Sequence, residues 1–143
     1  MPTIRIAAAV IVDDAGRILL VRKRGTIAWM QPGGKVEPGE LPADTLAREL
    51  AEELGLTLDA ADFEHWGRFG AAAANEPGHV VDCDIYAVTI ETEPVVAAEI
   101  EELRWVELDD ASITIAPLAL EHVWPRLRAT PAGSAGTSTR PAG

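Results

Sequence analysis

Three glutamates, Glu49, Glu52 and Glu53, crowd the short segment Arg48-Glu49-Leu50-Ala51-Glu52-Glu53. At about 100° per helical residue, Glu49 and Glu53 lie about 40° apart around a helix, with Glu52 about 60° to the other side of Glu49. The carboxylates therefore share one stripe, beside a second stripe of Leu46, Leu50 and Leu54 that must face a core. Like charges at this spacing destabilise a helix, and hard divalent cations such as Mg²⁺ are bound by oxygens grouped in this way. Taken alone, an acidic stripe is ordinarily a solvated face. Here Gly33-Gly34 and Gly39 precede it, giving a backbone that can bend sharply and present carbonyls. Arg48, inside the cluster, can hold carboxylates by paired hydrogen bonds.

The elements that must position these groups are legible around them. Leu41 to Leu54 reads as a helix: Pro42 suits the first turn, the leucines repeat every four residues, and Gly55 stops it. Ile4 to Val12 and Arg17 to Arg22 read as strands joined by the turn Asp13-Asp14-Ala15-Gly16. Phe63 to Ala73 and Val80 to Ile90 read as two more, joined by Asn75-Glu76-Pro77-Gly78. Arg104 to Leu108 is a fifth strand, and Leu118 to Leu127 a final helix whose last turn Pro125 puts in doubt. Strands outnumber helices without regular alternation, so an α/β fold with a mixed sheet covered by helices on both faces is expected. Cys83 shares strand parity with Val81 and Ile85 and reads as a small buried hydrophobe.

Composition narrows the function classes. The chain has 143 residues, 48% of them hydrophobic and 24% charged, an ordinary globular balance for one domain. Twelve basic against 23 acidic residues leave a net charge of −11, which argues against a nucleic-acid polymer as partner. A small phosphorylated ligand stays open, because cations held by carboxylates can in turn hold phosphates. No apolar run reaches the roughly 18 residues of a membrane span, no signal peptide is evident at the start, and a lone cysteine suits the cytoplasm. Residues 1–128 are expected to form the domain. Residues 129–143, beginning Ala129-Thr130-Pro131-Ala132-Gly133 and lacking large apolar side chains, are expected to form a disordered tail.

The segment Gly34 to Leu56 resembles the Nudix box at every fixed position: Gly34, Glu40, Arg48-Glu49-Leu50, Glu52-Glu53 and Gly55-Leu56. Nine matches at background frequencies have a chance on the order of 10⁻⁹ per starting point. Within that family the chain looks most like the small MutT-type proteins, and the surrounding pattern extends the likeness over residues 3 to 128. The resemblance implies the Nudix fold, an α/β/α sandwich with a mixed sheet. It also implies water attack on a phosphorus of a nucleoside triphosphate or other nucleoside diphosphate derivative, with Mg²⁺ or Mn²⁺ as cofactor. Carried over residue by residue, Glu49, Glu52 and Glu53 are metal ligands, with the Gly33 carbonyl a further one. Glu49 or Glu53 takes the proton of the attacking water, while Glu40 and Arg48 order the cluster.

MutT-type members often add a carboxylate from a distant loop. Glu99, six residues before Trp105, has the spacing the resemblance suggests, and Glu102 is second. Arg22, Lys23 and Arg24 end the second strand near the expected cleft and could meet phosphate. Trp29 and Gln31 stand where a base could stack or hydrogen-bond. His65, His79 and His122 have no ligand spacing and read as structural or solvent-facing. Two departures, Pro117-Leu118-Ala119 where 8-oxo-guanine-clearing members place an Asn, and Gln31 instead of an aromatic, speak against oxidised-guanine recognition. The competing reading is a nucleotide-sensing Nudix module without turnover, which the intact Glu49, Glu52 and Glu53 disfavour. A homodimer is common among the proteins this chain resembles.

Overall fold

Alternation along two strands divides the molecule into two cores. The computed structural model describes residues 2–129. Strand β1 (Thr3–Val10) sends Ala7 and Ala9 to one face and Ala8 and Val10 to the other. Strand β2 (Ile18–Lys23) splits in the same way, Leu19 and Val21 opposite Ile18 and Leu20. On the first face these residues meet Leu46, Leu50 and Leu54 of helix α1 (Pro42–Leu54). On the second they meet Ala119, Val123 and Trp124 of the final helical segment. Sheet between helices gives the expected α/β/α sandwich.

The main sheet runs β3-β1-β5-β4, with β3 at Gly33–Lys35, β4 at Glu64–Ala72 and β5 at Val80–Ala87. Strands β1 and β5 are parallel, whereas β3 pairs with β1 and β4 with β5 antiparallel, so the sheet is mixed. Strand β6 (Ile100–Val106) pairs antiparallel with β2 in a separate ribbon. The Asp13–Gly16 turn closes as expected, through Asp13 N–H to the Arg17 carbonyl at 2.9 Å. Beyond the bridge from Val12 to Ile18, β1 and β2 part into different sheets.

Cys83 is fully buried on the final-helix face. Asp84, 6% exposed on β5, is matched by Arg5 and by His65 Nε2 at 2.7 Å. The final helix continues through Pro125 to Ala129, against the doubt that proline raised. A π-helical turn at Ala119–Val123 precedes it, with Trp124 N–H bonded to the Ala119 carbonyl. Widening the turn relieves the clash that a proline ring makes with a carbonyl one α-turn back. Among the described residues no helix is long and apolar enough to cross a membrane. Of the stretch expected as a tail, Ala129 closes this helix and the remainder lies outside the described residues.

Candidate active site

Helix α1 starts at a hub built on Glu40. Its Oε1 accepts from the Thr45 hydroxyl at 2.7 Å and the Glu37 N–H at 3.1 Å. Arg48 donates to both oxygens, from Nε at 2.9 Å and Nη2 at 3.0 Å. These bonds, Arg48's first, hold the Glu40 carboxyl down at about 2. From the same guanidinium, Nη1 reaches Glu49 at 3.2 Å and Glu52 at 3.5 Å. Arg48 is thus strung between the residue that starts the helix and two members of the acidic stripe. At the other end Gly55 adopts a left-handed conformation (φ 67°), and its N–H and that of Leu56 return to the carbonyls of Ala51 and Leu50.

The glycine pair sets how closely β3 approaches this helix. A Cβ at Gly34 would stand 2.3 Å from Glu49 Cδ, and one at Gly33 would stand 2.1 Å from the Ala7 carbonyl oxygen. At Gly33 the obstacle is backbone and only hydrogen fits; at Gly34 it is the Glu49 side chain, so the strand lies directly against that carboxylate. Burial raises the Glu49 pKa despite the neighbouring Arg48. Glu53 is 2% exposed, and burial first, then the charge of Glu49, push its carboxyl up to about 8. Its Oε1 is buried without a hydrogen-bond partner.

Lys23, at the end of β2, leans into the same group. Burial works against its charge, but Glu99, Glu53 and Glu49 outweigh that and hold its pKa above the ordinary value. Lys23 Nζ lies 3.0 Å from Glu99 Oε1. The segment carrying Glu99 is stapled to the helix: Val95 and Ala97 N–H groups donate to the carbonyls of Leu54 and Glu53, at 3.0 and 2.9 Å. Ala98 turns with φ 54°, and Arg24 Nη1 donates to its carbonyl at 2.7 Å. Glu99 therefore acts electrostatically on Glu53, whereas Glu102 is tied to Arg22 at 2.6 Å. Among the described residues no three His, Cys, Asp or Glu side chains already form a cation cage, Arg48 and Lys23 being interleaved with the acids. The donor set is nonetheless one a hard cation fits: neighbouring carboxylates, one with an unsatisfied buried oxygen, beside the part-buried backbone of Gly33 and Gly34.

A cavity of about 270 Å³ adjoins this group, with Lys23, Gly33 and Gly34 in its wall. Gln31 and Lys23 both line it. Trp29 does not: it packs in the core at 6% exposure, with Arg22 and Arg104 over its ring. Arg22 is likewise committed elsewhere, to Glu102 and the Thr26 carbonyl. Asn75, read from the sequence only as a turn residue, also lines the cavity. Its signal was hidden because Asn before Glu-Pro-Gly is explained fully by turn chemistry. The histidines stay apart from the site, His79 on the Pro77 carbonyl and His122 stacked on Phe69.

Comparison with known proteins bears on the family and the fold. A family model described as NUDIX domain matches residues 2–128. Among solved structures, a MutT NUDIX hydrolase from Burkholderia pseudomallei superimposes with TM-score 0.67 at 29% identity, covering 80% of this chain and 91% of that one. The E. coli ORF135 protein gives TM-score 0.64 at 29% identity, with 100% and 96% coverage. Among curated proteins, a Myxococcus xanthus protein named octanoyltransferase is 32% identical over 117 residues, 77% of this chain and 32% of that protein. An RNA pyrophosphohydrolase of Pseudomonas putida is 44% identical over 50 residues, 35% of this chain and 31% of that one. The chain thus spans about a third of the length of these curated relatives. With the family model accounting for nearly all the described residues, and MutT-type structures sharing the fold, this chain belongs to the Nudix family and is MutT-like.

Proposed function

We propose that this chain is a divalent-cation-dependent pyrophosphohydrolase that cleaves a phosphoanhydride bond in a nucleoside triphosphate or other nucleoside diphosphate derivative by water attack. The observation that carries the reading is Glu53: a carboxylate buried to 2% exposure with an unpartnered oxygen, set against Glu49 and Glu99. Glu49, Glu52, Glu53, Glu99 and the Gly33 carbonyl would hold Mg²⁺ or Mn²⁺. Such an ion, when bound, neutralises phosphate charge, lowers the pKa of water and aligns nucleophile with leaving group. Glu49 or Glu53 accepts the proton of the attacking water. Arg48 keeps Glu49 and Glu52 in place and is itself held by Glu40. Lys23, already at the boundary between acids and cavity, exchanges its Glu99 partner for substrate phosphate.

A sensing module without turnover would have no need of the full carboxylate set, and Glu49, Glu52 and Glu53 are all present. The net charge of −11 favours a small nucleotide over a nucleic-acid polymer, and the single buried Cys83 suits a cytoplasmic setting. The matches to RNA pyrophosphohydrolases span 50 residues in one case and 64 in another, under half of this chain, and do not bring their substrate with them. A nucleotide panel with released phosphate and pyrophosphate read separately tests the proposal. Turnover that requires Mg²⁺ or Mn²⁺ and stops in excess chelator is expected; undiminished turnover in chelator refutes the cation mechanism.

A further inference from the structure

Among the described residues Ala98 is the one non-glycine residue with a positive φ, 54°. That region is unfavourable for alanine because its Cβ crowds a carbonyl oxygen, so the conformation has to be held from outside. Burial does not hold it, since every residue from Val95 to Glu99 is exposed. Hydrogen bonds do, and they converge on the residue that follows, Glu99.

Both peptide planes that flank the Glu99 Cα are tied to Arg24. Arg24 Nη1 donates to the Ala98 carbonyl at 2.7 Å, and the Arg24 N–H donates to the Glu99 carbonyl at 3.0 Å. Ile100 N–H closes the turn onto the Ala97 carbonyl at 3.1 Å, and Ala97 N–H is bonded to the Glu53 carbonyl at 2.9 Å. With the two rigid planes fixed, the direction of the Glu99 Cα–Cβ bond is fixed as well. We infer that Arg24 is a positioning residue, acting through the backbone of Ala98 and Glu99 to aim the Glu99 carboxylate at the cation held by Glu49 and Glu53. The inference rests on the cation-dependent reading above and adds to it a residue outside the ligand set.

The side chain of Glu99 already points toward that group. Lys23 Nζ lies 3.0 Å from Glu99 Oε1, and the same ammonium feels Glu53 and Glu49. Two consecutive residues thus hold Glu99, Lys23 by its carboxylate and Arg24 by its backbone. A cation that takes the carboxylate from Lys23 leaves the backbone hold intact, so the ligand need not be ordered anew on binding. The bland alternative for Arg24 is a surface ion pair with Glu101, whose Oε1 is 3.6 Å from Arg24 Nε. Those side chains are 65% and 48% exposed, and such pairs contribute little. Nor would that pair require a left-handed alanine beside Glu99.

Mn²⁺ binding at the tightest site is measured by calorimetry without nucleotide, on the full chain, for wild type, Arg24→Met, Glu99→Gln and the double variant. Arg24→Met keeps the stem and removes both the donor and the positive charge. Removing a positive charge beside a cation site should by itself leave Mn²⁺ affinity unchanged or tighten it. Losing the backbone hold should instead weaken it, by about 10-fold, and Glu99→Gln should weaken it at least as much. In the double variant the two losses should not add, because Arg24 acts through Glu99. Arg24→Gln serves if the methionine variant melts early. Unchanged or tighter binding in the Arg24 variant, wild-type affinity in Glu99→Gln, or fully additive losses overturns the inference and leaves the cation reading standing. A wild type that binds no Mn²⁺ removes both.

Discussion

Burying a carboxylate oxygen without a partner is unfavourable by roughly 1–3 kcal/mol, and Glu53 holds one in that condition beside a second carboxylate. Glu53→Gln keeps the side-chain size and removes the charge. If Glu53 binds the cation, kcat should fall about 10²- to 10⁴-fold, a barrier increase of about 3 to 5 kcal/mol. The melting temperature in chelator at neutral pH should hold, because burial and the charge of Glu49 already keep the cation-free Glu53 carboxyl largely protonated. A variant with near wild-type kcat at saturating Mg²⁺ would take Glu53 out of the site. Glu40 makes the opposite case, with its carboxyl lowered from 4.5 to about 2 by Arg48 and Thr45. A depressed carboxyl stabilises the fold above its unfolded pKa, and that stability is lost as pH falls from about 4.5 toward 2. The melting difference between wild type and Glu40→Gln should therefore be largest above pH 5 and shrink toward pH 2. A difference that stays constant across that range would show that the Arg48 pairing contributes no pH-linked stability. At this scale the box residues were legible because chemistry and spacing coincide in them. Asn75 was not, since its turn role already accounted for it.

Elements place those residues, and the contact of β3 with α1 is the tightest case. Gly34→Ala puts a methyl group 2.3 Å from Glu49 Cδ, the far part of a flexible side chain. Glu49 must swing away while the backbone has room to stay. The expected result is a folded protein whose apparent Mg²⁺ requirement rises at least several-fold, read from rate against Mg²⁺ concentration. An unchanged Mg²⁺ dependence would mean that the position of Glu49 against β3 is immaterial. Helix α1 was readable because its leucine period, Pro42 and Gly55 agree. Strand β3 was missed, as a glycine pair in three residues carries no strand propensity and pairs only through β1. Strand β6 begins at Ile100, earlier than its apolar end suggests, because Glu99, Glu101 and Glu102 face the ion partners Lys23, Arg24 and Arg22. Polarity there reads as a loop in one dimension and as a cross-strand ladder in three. The π-helical turn has no residue signature before Pro125, so only the finished packing reveals it.

Across the whole molecule the acids outnumber the bases by 23 to 12, and such an imbalance disfavours compaction through self-repulsion. Part of that imbalance is gathered at one end of α1, where Arg48 and Lys23 offset only some of it. A cation bound there should stabilise the folded state by mass action, about 2.7 kcal/mol when its concentration is 100 times Kd. Thermal melts of the full chain with increasing Mg²⁺ should therefore rise by several degrees and level off as the site fills. Screening of surface charge would also raise the melting temperature, so the comparison is NaCl at matched ionic strength, which should raise it less and without saturation. Glu53→Gln should lose most of the Mg²⁺-specific rise, while a substitution of Glu121, an exposed acid remote in sequence from the group, should retain it. The two-core architecture makes the test a sensitive one: α1 carries the carboxylates on one stripe and Leu46, Leu50 and Leu54 on the other, so the cation and the core hold the same helix. Equal rises in Mg²⁺ and NaCl, for wild type and Glu53→Gln alike, would reduce the acidic stripe to a solvated face.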